Sequence, residues 1–286
     1  MSYTRFGLMI LTSTVVMFIL MYLNTYAWEH LFFSETRTYM AIMMGATMAI
    51  IMLAYMLGMY QNKTLNIVIF VSAVIVFALS LWLVRSQVTV SGTSYMRAMI
   101  PHHSIAVMTS ERAQIRDPRV AKMAHEIILA QRREIAEMRY LISEVAEGNV
   151  VETIYRDPPA EVGTVDDALG RALISTLDPS PMPEAEAEQI LRPGPRCVFN
   201  RSPETDPILW AARDSGQGAM KLNGVLVPLE GSEQTGGTLF FQADGVAMSV
   251  RLLGEEADWR SNAELVFALD QGLTVGYRGF YACEAE

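Results

Sequence analysis

Three apolar runs, roughly Phe6 to Ala27, Thr38 to Tyr60 and Leu65 to Val84, fill most of the first 86 residues and contain no Asp, Glu, Lys or Arg. Each is about as long as the ~20 residues an α-helix needs to cross hydrocarbon. A backbone inside a bilayer must satisfy its own N–H and C=O groups, and an apolar run of this length does so as a spanning helix. The pattern predicts a three-helix transmembrane anchor over residues 1–86. The rest of the chain is too polar for a fourth span.

Orientation does not follow from the charges alone. Arg5 and Lys63 flank the spans on one side, Arg37 and Arg85 on the other, so the positive-inside bias is balanced. The only two cysteines, Cys197 and Cys283, stand at the ends of a segment rich in strand-forming residues. A pair placed to close a whole domain suits an oxidising compartment. This puts the N-terminus inside the cytoplasmic (inner) membrane and residues 87–286 in a periplasm or equivalent extracytoplasmic space. A cleavage site near Thr25-Tyr26-Ala27 would turn the first helix into a signal peptide; its long, weakly charged start favours a retained anchor.

The net charge of −9 is unevenly spread. Residues 1–86 carry four Lys/Arg and two acids, residues 87–148 eight and seven, and residues 149–286 ten and twenty-two. So acidic a C-terminal part argues against nucleic acid or anionic lipid as its partner. The lipid bilayer is the partner of the anchor.

Beyond the anchor the chain reads as three further parts. Residues 87–148 hold two helical stretches, one from about Ser94 to Ile115 and one that starts at the N-cap acid Asp117 with Pro118 at its first position and ends at Gly148. Joined by a tight turn, they predict an antiparallel helical hairpin. Residues 149–196 read as a Pro-rich linker with one short helix, Val165 to Leu177. Residues 197–286 show seven short apolar runs separated by Gly, Asp and Asn, which predicts a small all-β sandwich or barrel. Its acids fall at turns and it has no histidine, so it reads as a binding or packing module with no catalytic constellation.

The chemistry concentrates in the helical part. On a wheel at 100° per residue, Met99, His102, His103 and Ala106 share a face of the first helix, with Met96 beside Met99. Met123, Ile127, Gln131, Glu134, Met138 and Leu141 share a face of the second, while His125 looks outward. The predicted facing set is Met96, Met99, His102 and His103 against Gln131, Glu134 and Met138. Thioether with imidazole suits Cu(I), carboxylate with imidazole suits Cu(II), Fe or Zn, and the mixture favours a copper ion. Against this stands the plainer reading of methionines as core filler and a His–Glu pair as a hydrogen-bonded contact. Methionines 40, 44, 48, 52 and 56 recur every four residues along the second span, but the stripe winds by about 40° per step and no charged residue accompanies it. His30, beside Glu29 in the first external loop, reads either as approaching the hairpin from below or, more commonly for such a residue, as an interfacial polar group.

The stretch Tyr95-Met-Arg-Ala-Met-Ile-Pro-His-His-Ser-Ile-Ala-Val-Met, followed by Gln131-Arg-Arg-Glu134-Ile-Ala-Glu-Met138, resembles the family called domain of unknown function 305. The resemblance covers roughly residues 93–145. It implies a ferritin-like helical fold, and some relatives are periplasmic copper-binding proteins. It points to Met99, His102, His103, Gln131, Glu134 and Met138.

These readings predict a membrane-anchored metal-binding protein, without turnover, that captures or buffers copper at the membrane surface. Two amphipathic helices alone bury little, and ferritin-like sites are built from four, so a homodimer or docking on a membrane-complex subunit is expected. The alternative is a non-catalytic accessory or structural subunit of a membrane protein complex. A di-metal oxidoreductase ranks last, because Glu134 is the one carboxylate on the inward face.

Overall fold

The computed structural model describes residues 2–159, 163, 170, 172–213, 216–233 and 237–284. The chain divides into two compact units, residues 1–128 and 129–286.

The first unit begins with three helices long and apolar enough to cross a membrane, α1 (Tyr3–Leu20), α2 (Glu35–Tyr55) and α3 (Lys63–Ser86). Each starts on a polar cap: Ser2, Ser34 and Asn62 accept the backbone N–H of Arg5, Arg37 and Leu65, which satisfies N–H groups that have no partner within the helix. The middle helix packs against both others. It meets α1 at Gly45, where a Cβ would stand 2.2 Å from Thr14 Oγ1, so only a glycine admits this approach. At one end Tyr3 donates to Asn66 Oδ1 at 2.8 Å and its ring lies 4.8 Å from that of Tyr60. At the other, the 21–34 connection carries Tyr22, Trp28 and Phe33, with Trp28 76% and Phe33 63% exposed. Aromatic residues at both ends of an apolar bundle are the pattern of membrane–water interfaces. The first apolar run stops being helical after Leu20, short of the predicted Ala27. Its last residues serve the connection instead: the Tyr22 hydroxyl takes the Ser34 N–H at 3.0 Å.

The middle of the chain is helical, as predicted. Helix α4 (Gly92–Arg112) runs through Pro101 without a break, and α5 (Pro118–Glu147) starts on Asp117, whose Oδ1 accepts the Arg119 N–H at 2.9 Å. Beyond its end, Gly148 takes φ +88°, a left-handed conformation that a glycine adopts without steric cost. The apolar face of α4, Met96, Ile100, Ser104 and Val107, is buried and packs on α2 and on the one-turn helix Trp28–His30. Of the stripe predicted to meet it on the second helix, Met123 and Ile127, in the same unit, stay uncovered at 54% and 36% exposure.

The second unit is an eight-stranded antiparallel barrel. Its strands are β2 (Arg196–Asn200), β3 (Leu209–Ala212), β4 (Gln217–Leu222), β5 (Val225–Glu233), β6 (Thr238–Ala243), β7 (Val246–Leu252), β8 (Ala263–Leu269) and β9 (Thr274–Cys283). Each pairs with its successor, and β9 returns to β2 with Cys197 opposite Cys283, so the sheet closes on itself. Closure removes the exposed edges an open sheet would present. The two cysteines form a disulfide across this seam. Phe199, Met220, Met248, Leu265, Phe267 and Tyr277 are among the buried core side chains; they fill the barrel as a packed interior.

The barrel has one strand more than the seven apolar runs of the sequence, because the run from Ala219 to Leu229 holds two. The run folds back at Asn223-Gly224, with φ of 47° and 78°. Two successive positive φ values make the tight two-residue turn that joins twisted strands, and Asn-Gly is its preferred sequence. The proline-rich stretch before the barrel is also more than a linker. A two-residue strand, β1 (Pro179–Ser180), pairs with β4. A one-turn helix, α6 (Glu184–Ala187), follows. From this stretch Met182, Ala187 and Leu191 cover Trp210 and Ala219, while the indole of Trp210 donates to the Met182 carbonyl at 2.8 Å. Of the helix predicted over Val165 to Leu177, residues 165–169 and 171 lie outside the described residues; within the rest, Ile174–Thr176 is a single 3₁₀ turn.

The unit boundary falls inside α5, where sequence reading closes a helical domain at 148. From residue 129 onward α5 is built into the barrel's unit. Ala136 joins its core, and a Cβ at Gly276 would lie 2.3 Å from the Tyr140 ring. Arg139 reaches the carbonyls of Arg201 and Arg260.

Candidate functional site

The first-unit candidates stand on α4 in three environments. Met96 is buried with the core face, Met99 and His103 are half-buried, and His102 is exposed. His103 Nδ1 lies 2.9 Å from the Met99 carbonyl one turn back. In the neutral ring this contact fixes the proton on Nδ1 and leaves Nε2 as the nitrogen with the lone pair, the orientation that metal-ligating histidines take from a backbone partner. The His102 ring is 6.1 Å away, nearly perpendicular. Among the described residues no three His, Cys, Asp or Glu side chains form a group that could hold a metal ion. What α4 offers is two imidazoles and a thioether, which as a donor set fits Cu(I) better than a harder cation.

Gln131, Glu134 and Met138 belong to the second unit. The Gln131 amide donates to Glu134 Oε2 at 3.3 Å along the same helix, and Met138 is buried. Next to Met138, burial pushes the Glu137 carboxyl above the usual carboxylate range, with Asp178 adding to the effect and Arg133 opposing it. Of the other histidines, His125 is exposed, as predicted. His30 is fully enclosed and its Nδ1 stands 2.9 Å from Ser104 Oγ on α4, so its predicted approach to the helical part is what the structure shows. The methionine stripe on α2 does not stay on one surface: Met40 and Met44 are exposed, while Met52 and Met56 pack against the bundle core.

Sequence reading missed the buried charges of the second unit. Asp178, in the supposed linker, takes two bonds from Arg201 at 2.6 and 2.7 Å and one from the Tyr277 hydroxyl. The Arg201 guanidinium also stacks 4.3 Å from the Tyr277 ring. Burial drives the Tyr277 phenol far above its ordinary range, against the pull of Arg201. Nor are all the barrel's acids at turns. Glu264, within β8, is 7% exposed and pairs with Arg251 at 3.4 Å and Arg278 at 3.3 Å. Its location shows in sequence only as a charge inside the apolar run Ala263–Leu269. These groups are paired with one another and offer no open coordination site.

Residues 88–188 match the domain of unknown function DUF305, a longer stretch than the motifs alone mark, and residues 143–286 match the domain of unknown function DUF6692. An uncharacterised protein, L153 of Acanthamoeba polyphaga mimivirus, is 32% identical over 111 residues, which cover 37% of this chain and 69% of that protein. No solved structure matches the chain. With half of its length under one match and its helical middle under the other, the chain belongs to the DUF6692 family and carries a DUF305 domain ahead of the barrel.

Proposed function

We propose that the protein binds copper at the extracytoplasmic surface of the inner membrane, to capture or buffer the ion without turnover. The observation that carries this reading is the α4 arrangement: His103 oriented through Nδ1 by the Met99 carbonyl, beside an exposed His102 and a half-buried thioether. Three spanning helices put the end of α3 and the 21–34 connection on the same side, and α4 packs on that connection. A disulfide in the second unit supports an oxidising compartment on that side. The exposed stripe of Val120, Met123 and Ile127 supports a homodimer or a docked subunit. It also keeps the accessory-subunit reading in play.

Elemental analysis of the detergent-purified full chain, equilibrated with copper and zinc, tests the reading beside a His102→Ala/His103→Ala double variant. Near-stoichiometric copper lost in the variant is the expected result. Metal absent from both, with a second protein co-purifying in fixed ratio, overturns it in favour of the accessory subunit.

A further inference from the structure

His30 lies in the connection between the first two spans, far in sequence from the helix it touches. It is 1% exposed, Ser104 is 0% exposed, and His30 Nδ1 stands 2.9 Å from Ser104 Oγ. The same oxygen accepts the Tyr26 N–H at 2.8 Å. The Tyr26 and His30 rings stack with centroids 6.5 Å apart, and the Arg112 guanidinium lies 5.8 Å from the Tyr26 ring. Helix α4 is therefore held by the 21–34 connection at two points, Ser104 and Arg112, about two turns apart.

Ser104 directly follows His103. Successive residues on a helix point about 100° apart, so a Ser104 pinned inward fixes where the preceding two side chains emerge: His103 at the edge of the packed face and His102 in the open. A rotation of α4 by one residue would carry one of the imidazoles into the apolar contact with α2. Met96, Ile100 and Val107 supply burial but no sharp angular preference, because apolar packing is non-directional. A buried hydrogen bond does have one, since turning away leaves the Tyr26 N–H and the His30 ring without it.

We infer that His30 and Ser104 are positioning residues for the histidine pair, a key between the inter-span connection and α4 that sets which face of the helix presents metal ligands at the membrane surface. The inference rests on the proposed copper reading for its purpose, but the presentation itself can be measured without metal.

The test uses the full chain in mild detergent, as wild type, His30→Ala, Ser104→Ala and His30→Asn. Asn places an amide near the position of Nδ1 and preserves the contact. Carbethoxylation by diethyl pyrocarbonate, followed by mass spectrometry, reads the labelling rates of His102 and His103 without metal. Cu(I) affinity is read by competition with a chromophoric chelator. Wild type and His30→Asn are expected to label His102 much faster than His103. In His30→Ala and Ser104→Ala that contrast should collapse, with Cu(I) affinity falling by about tenfold or more, as loss of one well-made interaction gives. An unchanged contrast in both alanine variants, with helix content intact, overturns the inference. If the contrast collapses as expected but wild type takes up no copper, the key stands and the copper reading falls.

Discussion

The two units enclose side chains by opposite rules. In the first, the side chains enclosed along the spans are mostly small, Ala41, Gly45, Ala46, Ala49 and Ala73, while the large apolar ones such as Leu11, Ile19, Ile67 and Val71 face outward. In the second, the enclosed side chains are large, Phe199, Phe267, Tyr277 and Met248, and charged groups are buried among them. An outward Leu on a spanning helix is covered by lipid, so the protein need only bring its helices close, and small residues do that. A barrel in water must cover its own apolar surface, and every charge it encloses needs a partner. The same exposure value thus means lipid contact along the spans and an uncovered apolar surface beyond them. The Met123–Ile127 stripe, at the far end of the first unit, is of the second kind.

The largest separation of the two units should come from the disulfide. Cys197 and Cys283 are 86 residues apart, and releasing a loop of that length costs about 4 kcal/mol in the chain-entropy account. A Cys197→Ser/Cys283→Ser variant should lose roughly that much barrel stability in urea, followed by near-ultraviolet circular dichroism. The helical signal of the spans in detergent should not move. A common shift of both signals would mean that the units unfold together, and the comparison would fail.

Removing the carboxylate of Asp178 comes next. Its partner Arg201 has a side chain only 5% exposed, and a buried charge left without its counter-ion costs about 3 kcal/mol or more. Asp178→Ala should therefore destabilise the barrel nearly as much as loss of the disulfide. Asp178→Asn, which keeps an acceptor but no charge, should cost less. Equal and small effects from both substitutions would show that Arg201 finds water instead.

Asp178 also marks the limit of what the sequence discloses. The spans were legible because a bilayer imposes a length and forbids charge, and both are local properties. The strands were legible from short apolar runs, and the start of α5 from Asp117-Pro118. Closure was not, because the pairing of β2 with β9 depends on the whole sheet. The turn at Asn223-Gly224 is legible in principle, but apolar residues on both sides of it read as one strand. Asp178 opens a run of closely spaced prolines and reads as linker, although its partners Arg201 and Tyr277 lie 23 and 99 positions away. On the candidate site, spacing placed Met99, His102 and His103 together on α4. It could not anticipate that the apolar face of α4 would turn to α2 and to the Trp28–His30 turn.

Close approach in the first unit gives a smaller effect. A Cβ at Gly45 would lie 2.2 Å from Thr14 Oγ1 and 3.3 Å from Thr14 Cβ. Gly45→Leu should force α1 and α2 apart at a cost of about 2 kcal/mol, typical of overpacking, seen as a lower unfolding temperature in detergent. Thr14→Ala in the same chain should return part of the loss. If the double variant is no better than the single, the contact at Gly45 is not what sets the approach of the two helices.

The smallest effect belongs to the ion pair that resembles Arg201–Asp178 on paper and differs from it in every physical respect. Lys122 and Glu126 pair at i,i+4 on α5, with side chains 75% and 59% exposed. Water screens both charges, and fixing two long side chains costs entropy, so such pairs contribute about 0.5 kcal/mol or less. Lys122→Ala should leave thermal stability within that margin at ordinary salt, and raising the ionic strength should erase what difference remains. A loss above about 1 kcal/mol would exceed what an exposed pair supplies. It would place this stretch of α5 in a buried contact, as the exposed Met123 beside it would be if a second copy covered that face.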